Sequence, residues 1–134
     1  MFILDTDICI YLLNGTAPSA AAKLRTIPQD DVCVTSITAA ELRFGALHSN
    51  NAEKNLARVQ QFLAPLRQLP FENRAAVHFA VIKEQLGSAG RLIGPMDLLI
   101  AAIAVSTNGT LVTNNTREFE RVSNLKLENW KDPS

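Results

Sequence analysis

Apolar residues in this chain come as short runs separated by longer amphipathic stretches. Phe2-Ile3-Leu4 is too short for a helix face and suits an inner strand, ended by Asp5-Thr6-Asp7. Ile8 to Leu13 is apolar nearly all round and stops at Asn14-Gly15, which predicts a short buried helix with Thr6 as its N-cap. An alanine-rich helix is expected over Ala17 to Arg25, then a β-branched strand over Val32 to Ile37. Thr38-Ala39-Ala40-Glu41 has the capping-box form and opens a helix running to about Ser49. Ala52 to Leu63 carries Leu56, Val59, Phe62 and Leu63 on one helical stripe, and a brief strand follows around Leu66 to Leu69.

Farther along, Glu72 to Gly87 reads as a long amphipathic helix with Ala76, Phe79, Ala80, Lys83 and Leu86 at helical spacing. Gly94-Pro95-Met96-Asp97 is the clearest helix start, with proline at N1 and the acid at N3. The nearly uncharged segment to Thr107 implies burial against a sheet. Thr110 to Thr113 is a strand, Asn114 to Phe119 a turn, and the alternating Leu125 to Trp130 a final edge strand. Strands alternating with helices predict an α/β sandwich with a mostly parallel central sheet flanked by helices. At 134 residues the size fits one domain, residues 1–134.

Composition narrows the picture. The chain is 47% hydrophobic and 19% charged, typical of a globular protein, and no apolar run is long enough to span a bilayer. Cys9 and Cys33 sit in apolar surroundings without metal-ligand spacing, as expected of reduced thiols in a cytoplasmic protein with no membrane partner. Thirteen basic residues balance thirteen acidic ones, which disfavours a broad basic face for nucleic acid but leaves room for a local basic rim. No Ser-His-Asp order, glycine-rich phosphate loop or zinc spacing is present, and His48 and His78 have no assigned role.

The candidate chemistry lies in the acids. Asp5 ends a buried strand with no cation near it in sequence, and Thr113 ends another, while Glu41 and Asp97 stand in first turns of helices. In an open α/β sheet, strand ends and the helix starts that follow them share one rim. Each acid alone has an ordinary explanation: a helix cap, a capping box, a dipole partner or, for Glu118, a solvated charge. Together they suit a hard, oxygen-preferring cation, Mg²⁺ or Mn²⁺, and a reaction at a phosphate ester.

At these residues the chain resembles PIN-domain ribonucleases, specifically VapC-type toxins of type II toxin–antitoxin (VapBC) pairs. The resemblance rests on the ordered set Leu4-Asp5-Thr6, Thr38-Ala39-Ala40-Glu41-Leu42 with Gly45-Ala46, Arg91 to Asp97, Leu111 to Val122, and Leu127 to Trp130. It implies a PIN-like α/β/α sandwich, with Asp5 and Asp97 as Mg²⁺ ligands (Mn²⁺ substituting), Glu41 as the third acid and Glu118 as the fourth. Thr6, Asp7, Thr113 and Asn115 would orient the ligands or the attacked phosphate, and Arg43, Arg91, Arg117 and Arg121 would form a phosphate-binding rim. The implied activity is Mg²⁺-dependent endoribonuclease cleavage of structured RNA, such as a tRNA anticodon loop, blocking translation and growth. The implied partners are RNA, a second copy of the chain in a homodimer, and a VapB-like antitoxin in a hetero-oligomer. The chain departs from the family at Asn114-Asn115, where many PIN domains have an aspartate, and at Asp7, where the family usually has asparagine. An added charge at Asp7 would tighten metal binding or repel RNA.

Two other readings stay open on these residues. A degenerate PIN-like module would bind RNA or protein without cutting. A HAD-like phosphatase would use Asp5-Thr6-Asp7 as its D-x-D motif, although Thr113 following Asp97 runs against that family's motif order.

Overall fold

The computed structural model describes residues 1–131, so the last three positions of the expected domain, 132–134, lie outside the described residues. Five short strands form one sheet: β1 (Phe2–Leu4), β2 (Val32–Thr35), β3 (Arg67–Leu69), β4 (Thr110–Val112) and β5 (Lys126–Glu128). Their order is β3-β2-β1-β4-β5, and every neighbouring pair is parallel. The connections are α1 (Thr6–Asn14), α2 (Pro18–Thr26), α3 (Ser36–Leu47), α4 (Ala52–Leu63), α5 (Asn73–Ser88), α6 (Pro95–Thr107) and the single-turn α7 (Thr116–Phe119). This is the parallel α/β/α sandwich expected from the alternation of elements.

The alternation of side chains along the inner strands divides the core into two layers. Ile3, Cys33 and Leu111 face one layer, where they pack with Ile82, Leu86, Ile103 and Phe119 from α5, α6 and α7. Leu4, Val34 and Val112 face the other, against Ile8 and Cys9 of α1, Leu42 of α3 and Val59 and Leu63 of α4. Strand β1 is central and buried on both faces, which explains its uninterrupted apolar run. A Cβ at Gly109 would lie 2.7 Å from Ile3 Cδ1, so any larger residue there would push the Ile3 side chain aside.

The direction of winding reverses between β1 and β4. Chain growth goes from β1 outward to β2 and β3 on one side, then returns to β4 and β5 on the other. The crevice beyond the carboxyl ends of β1 and β4 is therefore the switch point where such sheets bind ligands. Asp5 follows β1 directly and Thr113 follows β4.

Three local expectations shift. Asp5 is the N-cap residue of α1, and Thr6 is its first helical residue. Strand β2 stops at Thr35, which caps α3 by accepting the Thr38 amide at 3.1 Å. The helix thus starts before Thr38, and Glu41 is moved out of the capping-box position. On α5 the buried residues are Ala75, Ile82 and Leu86, while Ala76 and Ala80 are exposed, so the inner face is rotated by about one residue. Among the described residues, no helix is long and apolar enough to cross a membrane.

Candidate active site

The acids on the rim are positioned by hydroxyls and amides from neighbouring elements. Asp5 is only 4% exposed. Its Oδ2 accepts the Thr113 hydroxyl at 2.7 Å, and Thr113 Oγ1 in turn accepts the Asn115 amide at 3.0 Å. Its other oxygen, Oδ1, is buried without any hydrogen-bond partner. A buried carboxylate oxygen left unpaired is costly, and native proteins rarely keep one without an ion, water or ligand to meet it.

A second relay holds Glu41. Thr6 Oγ1 donates to Glu41 Oε1 at 2.7 Å and lies 2.9 Å from Thr38 Oγ1. With its one proton committed to Glu41, Thr6 accepts from Thr38. The fully buried Thr38 is therefore part of the site, a role the capping-box reading hid. The signal was present in the Thr38-x-x-Glu41 spacing, since residues three apart share a helix face.

On the opposite wall, α6 begins at Pro95 with Asp97 in its first turn. Glu118, from α7, accepts the Gly94 amide at 3.0 Å on Oε1 and Asn115 Nδ2 at 2.9 Å on Oε2. Its charge raises the neighbouring Asp97. Gly94, which nothing in the sequence marked beyond its place before proline, is thus the donor that joins α7 to the start of α6. Asp7 accepts the Ile8 amide at 2.6 Å and the Asn114 amide at 3.1 Å.

Electrostatics shows that these groups feel one another. Burial, reinforced by the charges of Asp7 and Asp97, pushes Asp5 up to about 7. Burial and then the neighbouring Glu118 push Asp97 up to about 7, with Glu41 and Asp7 adding to the effect. Asp7 is raised by burial against the pull of its amide donors. Glu118 moves the other way, lowered first by Asn115 and then by the Gly94 amide. The two carboxyls of the Asp97–Glu118 pair are therefore pushed in opposite directions. No lysine or arginine figures among the dominant influences on Asp5, Asp7 or Asp97. Carboxylates crowded without compensating cations shift upward until a proton or a metal supplies the charge.

The donor set suits a hard divalent cation. The candidate donor atoms are all carboxylate oxygens, and Asp5 Oδ1 is an acceptor with no donor. Among the described residues, no three His, Cys, Asp or Glu side chains are drawn close enough to cage an ion by themselves. The structure thus brings together Asp5, Asp7, Glu41, Asp97 and Glu118, with Thr6, Thr113 and Asn115 as their hydrogen-bond partners. Of the four arginines, Arg91 and Arg117 are exposed and Arg43 half-buried; Arg121 donates to the Leu92 carbonyl at 3.1 Å and helps lower Glu118.

Known proteins share both the sequence and the fold. The PIN domain family profile matches residues 2–125. A tRNA(fMet)-specific endonuclease VapC of Shigella flexneri is 40% identical over 129 residues, covering 96% of this chain and 97% of that protein. Ribonuclease VapC2 of Haemophilus influenzae is 42% identical over 129 residues with the same coverage. The chain is a VapC-type member of the PIN-domain family, the toxin side of VapBC pairs. Among solved structures, VapBC2 of Rickettsia felis bound to a DNA fragment from its promoter superposes with a TM-score of 0.91 at 36% identity, over 96% of this chain and 98% of that one. VapBC of Salmonella typhimurium bound to DNA gives a TM-score of 0.90 at 37% identity, over 96% and 97%. At the two departures noted in the sequence the side chains and amides have partners within this chain. Asn114 and Asn115 serve the site through a backbone amide and a side-chain amide, and Asp7 engages main-chain donors.

Proposed function

We propose that this chain is a Mg²⁺-dependent endoribonuclease toxin that cleaves structured RNA, with a tRNA anticodon loop as its substrate, and so blocks translation and growth. The observation that carries the proposal is the convergence of carboxylates at the β1–β4 switch point, where Asp5, Asp7 and Asp97 are raised with no cation among their dominant influences and Asp5 keeps a buried oxygen that accepts no hydrogen bond. The names of the VapC relatives support the same reading, the Shigella flexneri protein being described as specific for tRNA(fMet).

In this proposal Asp5 and Asp97 hold the cation, and Glu41 and Glu118 complete the acidic set. When bound, Mg²⁺ (or Mn²⁺ in its place) supplies a Lewis acid for the phosphoryl oxygen and lowers the pKa of an attacking water. The protein's own contribution is orientation. Thr113 fixes Asp5 Oδ2, Thr6 fixes Glu41 Oε1, and Asn115 fixes Glu118 Oε2. Burial and the Glu118 charge raise Asp97, so metal ligation there is linked to proton loss. Arg43, Arg91 and Arg117 contact the RNA backbone beside the crevice, a charge-based contact that positions the strand without reading its bases.

We further infer a cytoplasmic protein with three partners: RNA, a second copy of the chain, and a VapB-like antitoxin in a hetero-oligomer. The solved VapBC complexes support the last of these. The test is incubation of purified, antitoxin-free protein with total bacterial RNA, in Mg²⁺ or in EDTA, beside the Asp97→Asn variant. Discrete fragments that require both metal and Asp97 are expected, and sequencing their ends names the target. RNA left intact by correctly folded protein would overturn the proposal in favour of a binding module that does not cut.

A further inference from the structure

Asp7 sits one helical residue beyond the rim, and its acceptors are already spent. Oδ1 takes the Ile8 amide at 2.6 Å and Oδ2 takes the Asn114 amide at 3.1 Å. The Thr113 hydroxyl lies 3.4 Å from both Asp7 oxygens, but its single proton is committed to Asp5 at 2.7 Å. Asp5, in contrast, keeps one oxygen free. The two neighbouring carboxylates thus have different occupations: Asp5 Oδ1 is buried and accepts no hydrogen bond, whereas each Asp7 oxygen accepts a main-chain amide.

We propose that Asp7 is a positioning residue, holding the loop between β4 and α7 to the start of α1 through the Asn114 backbone N–H. This rests on the reading of the rim as a nuclease site. Asn114 is pinned from the other side as well, since its side-chain oxygen accepts Asn129 Nδ2 at 3.2 Å. From Asn114 the loop runs on to the hydrogen bonds that set the opposite wall. The Asn115 amide donates to Thr113, the Asn115 side chain to Glu118, and Glu118 accepts the Gly94 amide at the start of α6. An anchor at Asn114 therefore governs where Glu118 and, through it, Asp97 stand. Among the described residues, no other side chain ties the β1 side of the crevice to this loop by accepting a backbone amide on each side.

The role needs an acceptor and not a charge, which makes it testable. Asparagine keeps one acceptor for Asn114 and removes the charge, while alanine removes both. Amide hydrogen exchange on the full, metal-free chain reads the anchor directly. In Asp7→Ala, Asn114 should exchange about 10-fold faster or more than in the parent, with the Val112 amide of β4 unchanged as the internal control. In Asp7→Asn the Asn114 amide should stay protected. Mn²⁺ affinity should fall about 10-fold further in Asp7→Ala than in Asp7→Asn, the range expected for a side chain that orients metal ligands. Unchanged Asn114 exchange in Asp7→Ala would overturn the proposal. So would an Asp7→Asn protein that loses Mn²⁺ binding as completely as Asp5→Asn, since Asp7 would then be a ligand. Should Asp7→Ala fail to fold, the comparison of Asp7→Asn with Asp5→Asn decides alone. Absence of RNA cleavage by the parent chain defeats the nuclease reading and leaves the exchange comparison standing; failure of the exchange comparison in an active enzyme defeats the role of Asp7 alone.

Discussion

Asp5 and Asp97 face each other across one crevice, and both are pushed up to about 7, yet they are held in different ways. Asp5 is fastened by the core. It caps α1, lies almost wholly buried, and has one oxygen fixed by Thr113 and the other left without a partner. Asp97 is half-buried on the first turn of α6 and leans on another acid, Glu118, which is itself tied to Gly94 and Asn115. One wall is rigid and lacks a counter-charge; the other is a carboxyl pair whose proton a metal would displace. The difference teaches that the sheet supplies position on the β1 side, whereas the β4–α7 loop must supply it on the α6 side.

The largest effect expected from breaking this arrangement comes from removing a ligand on either wall. Asp5→Asn and Asp97→Asn should each reduce RNA cleavage to the level seen in EDTA, with the fold retained, as measured by cleavage assays beside circular dichroism. Next comes the support of the rigid wall. Thr113→Val keeps the shape but strips Asp5 Oδ2 of its donor, and should lower Mn²⁺ affinity or activity by about 10- to 100-fold. On the looser wall, Glu118→Gln should reduce cleavage by about 10-fold or more while Glu120→Gln leaves it unchanged. Equal effects would mean that the fourth acid lies elsewhere.

The smallest effect concerns pH and metal-free stability. Asp5 and Asp97 rise from 3.8 in the unfolded chain to about 7 in the fold, so the native state holds protons that the unfolded chain has released. Their contribution is fully present below about pH 4 and is lost as pH rises through about 7. The melting temperature of metal-free protein should therefore fall over that window, and the fall should be shallower in Asp5→Asn. Saturating Mn²⁺ should reverse the loss at the upper end, which a thermal-shift series across pH reads directly.

Much of this was legible in the sequence because it follows from patterns of short range. Phe2-Ile3-Leu4 before Asp5, and Gly94-Pro95 before Asp97, mark a buried strand end and a helix start without reference to any other part of the chain. The parallel sheet follows from the alternation of strands and helices. What escaped depends on contacts made across long stretches of sequence. Thr38 looked like a cap because its spacing to Glu41 fits one, but Thr35 captures the role and frees Thr38 to support Thr6. Asp7 looked like added charge, and its amide donor lies at Asn114, on the far side of the β1–β4 pairing. The inner face of α5 slipped by one residue because alanine serves equally well inside or outside a helix, so Ala75 and Ala76 cannot be told apart by hydropathy.

The most direct test of the central claim is calorimetric titration of the antitoxin-free chain with Mn²⁺ near pH 6.5, repeated in two buffers of different ionisation enthalpy. The account predicts saturable binding accompanied by proton release, because Asp5 and Asp97 must give up the protons they hold. It also predicts that both signals disappear in Asp5→Asn. Absence of binding in folded protein, or binding undisturbed by Asp5→Asn, would contradict the assignment of the rim as a metal site.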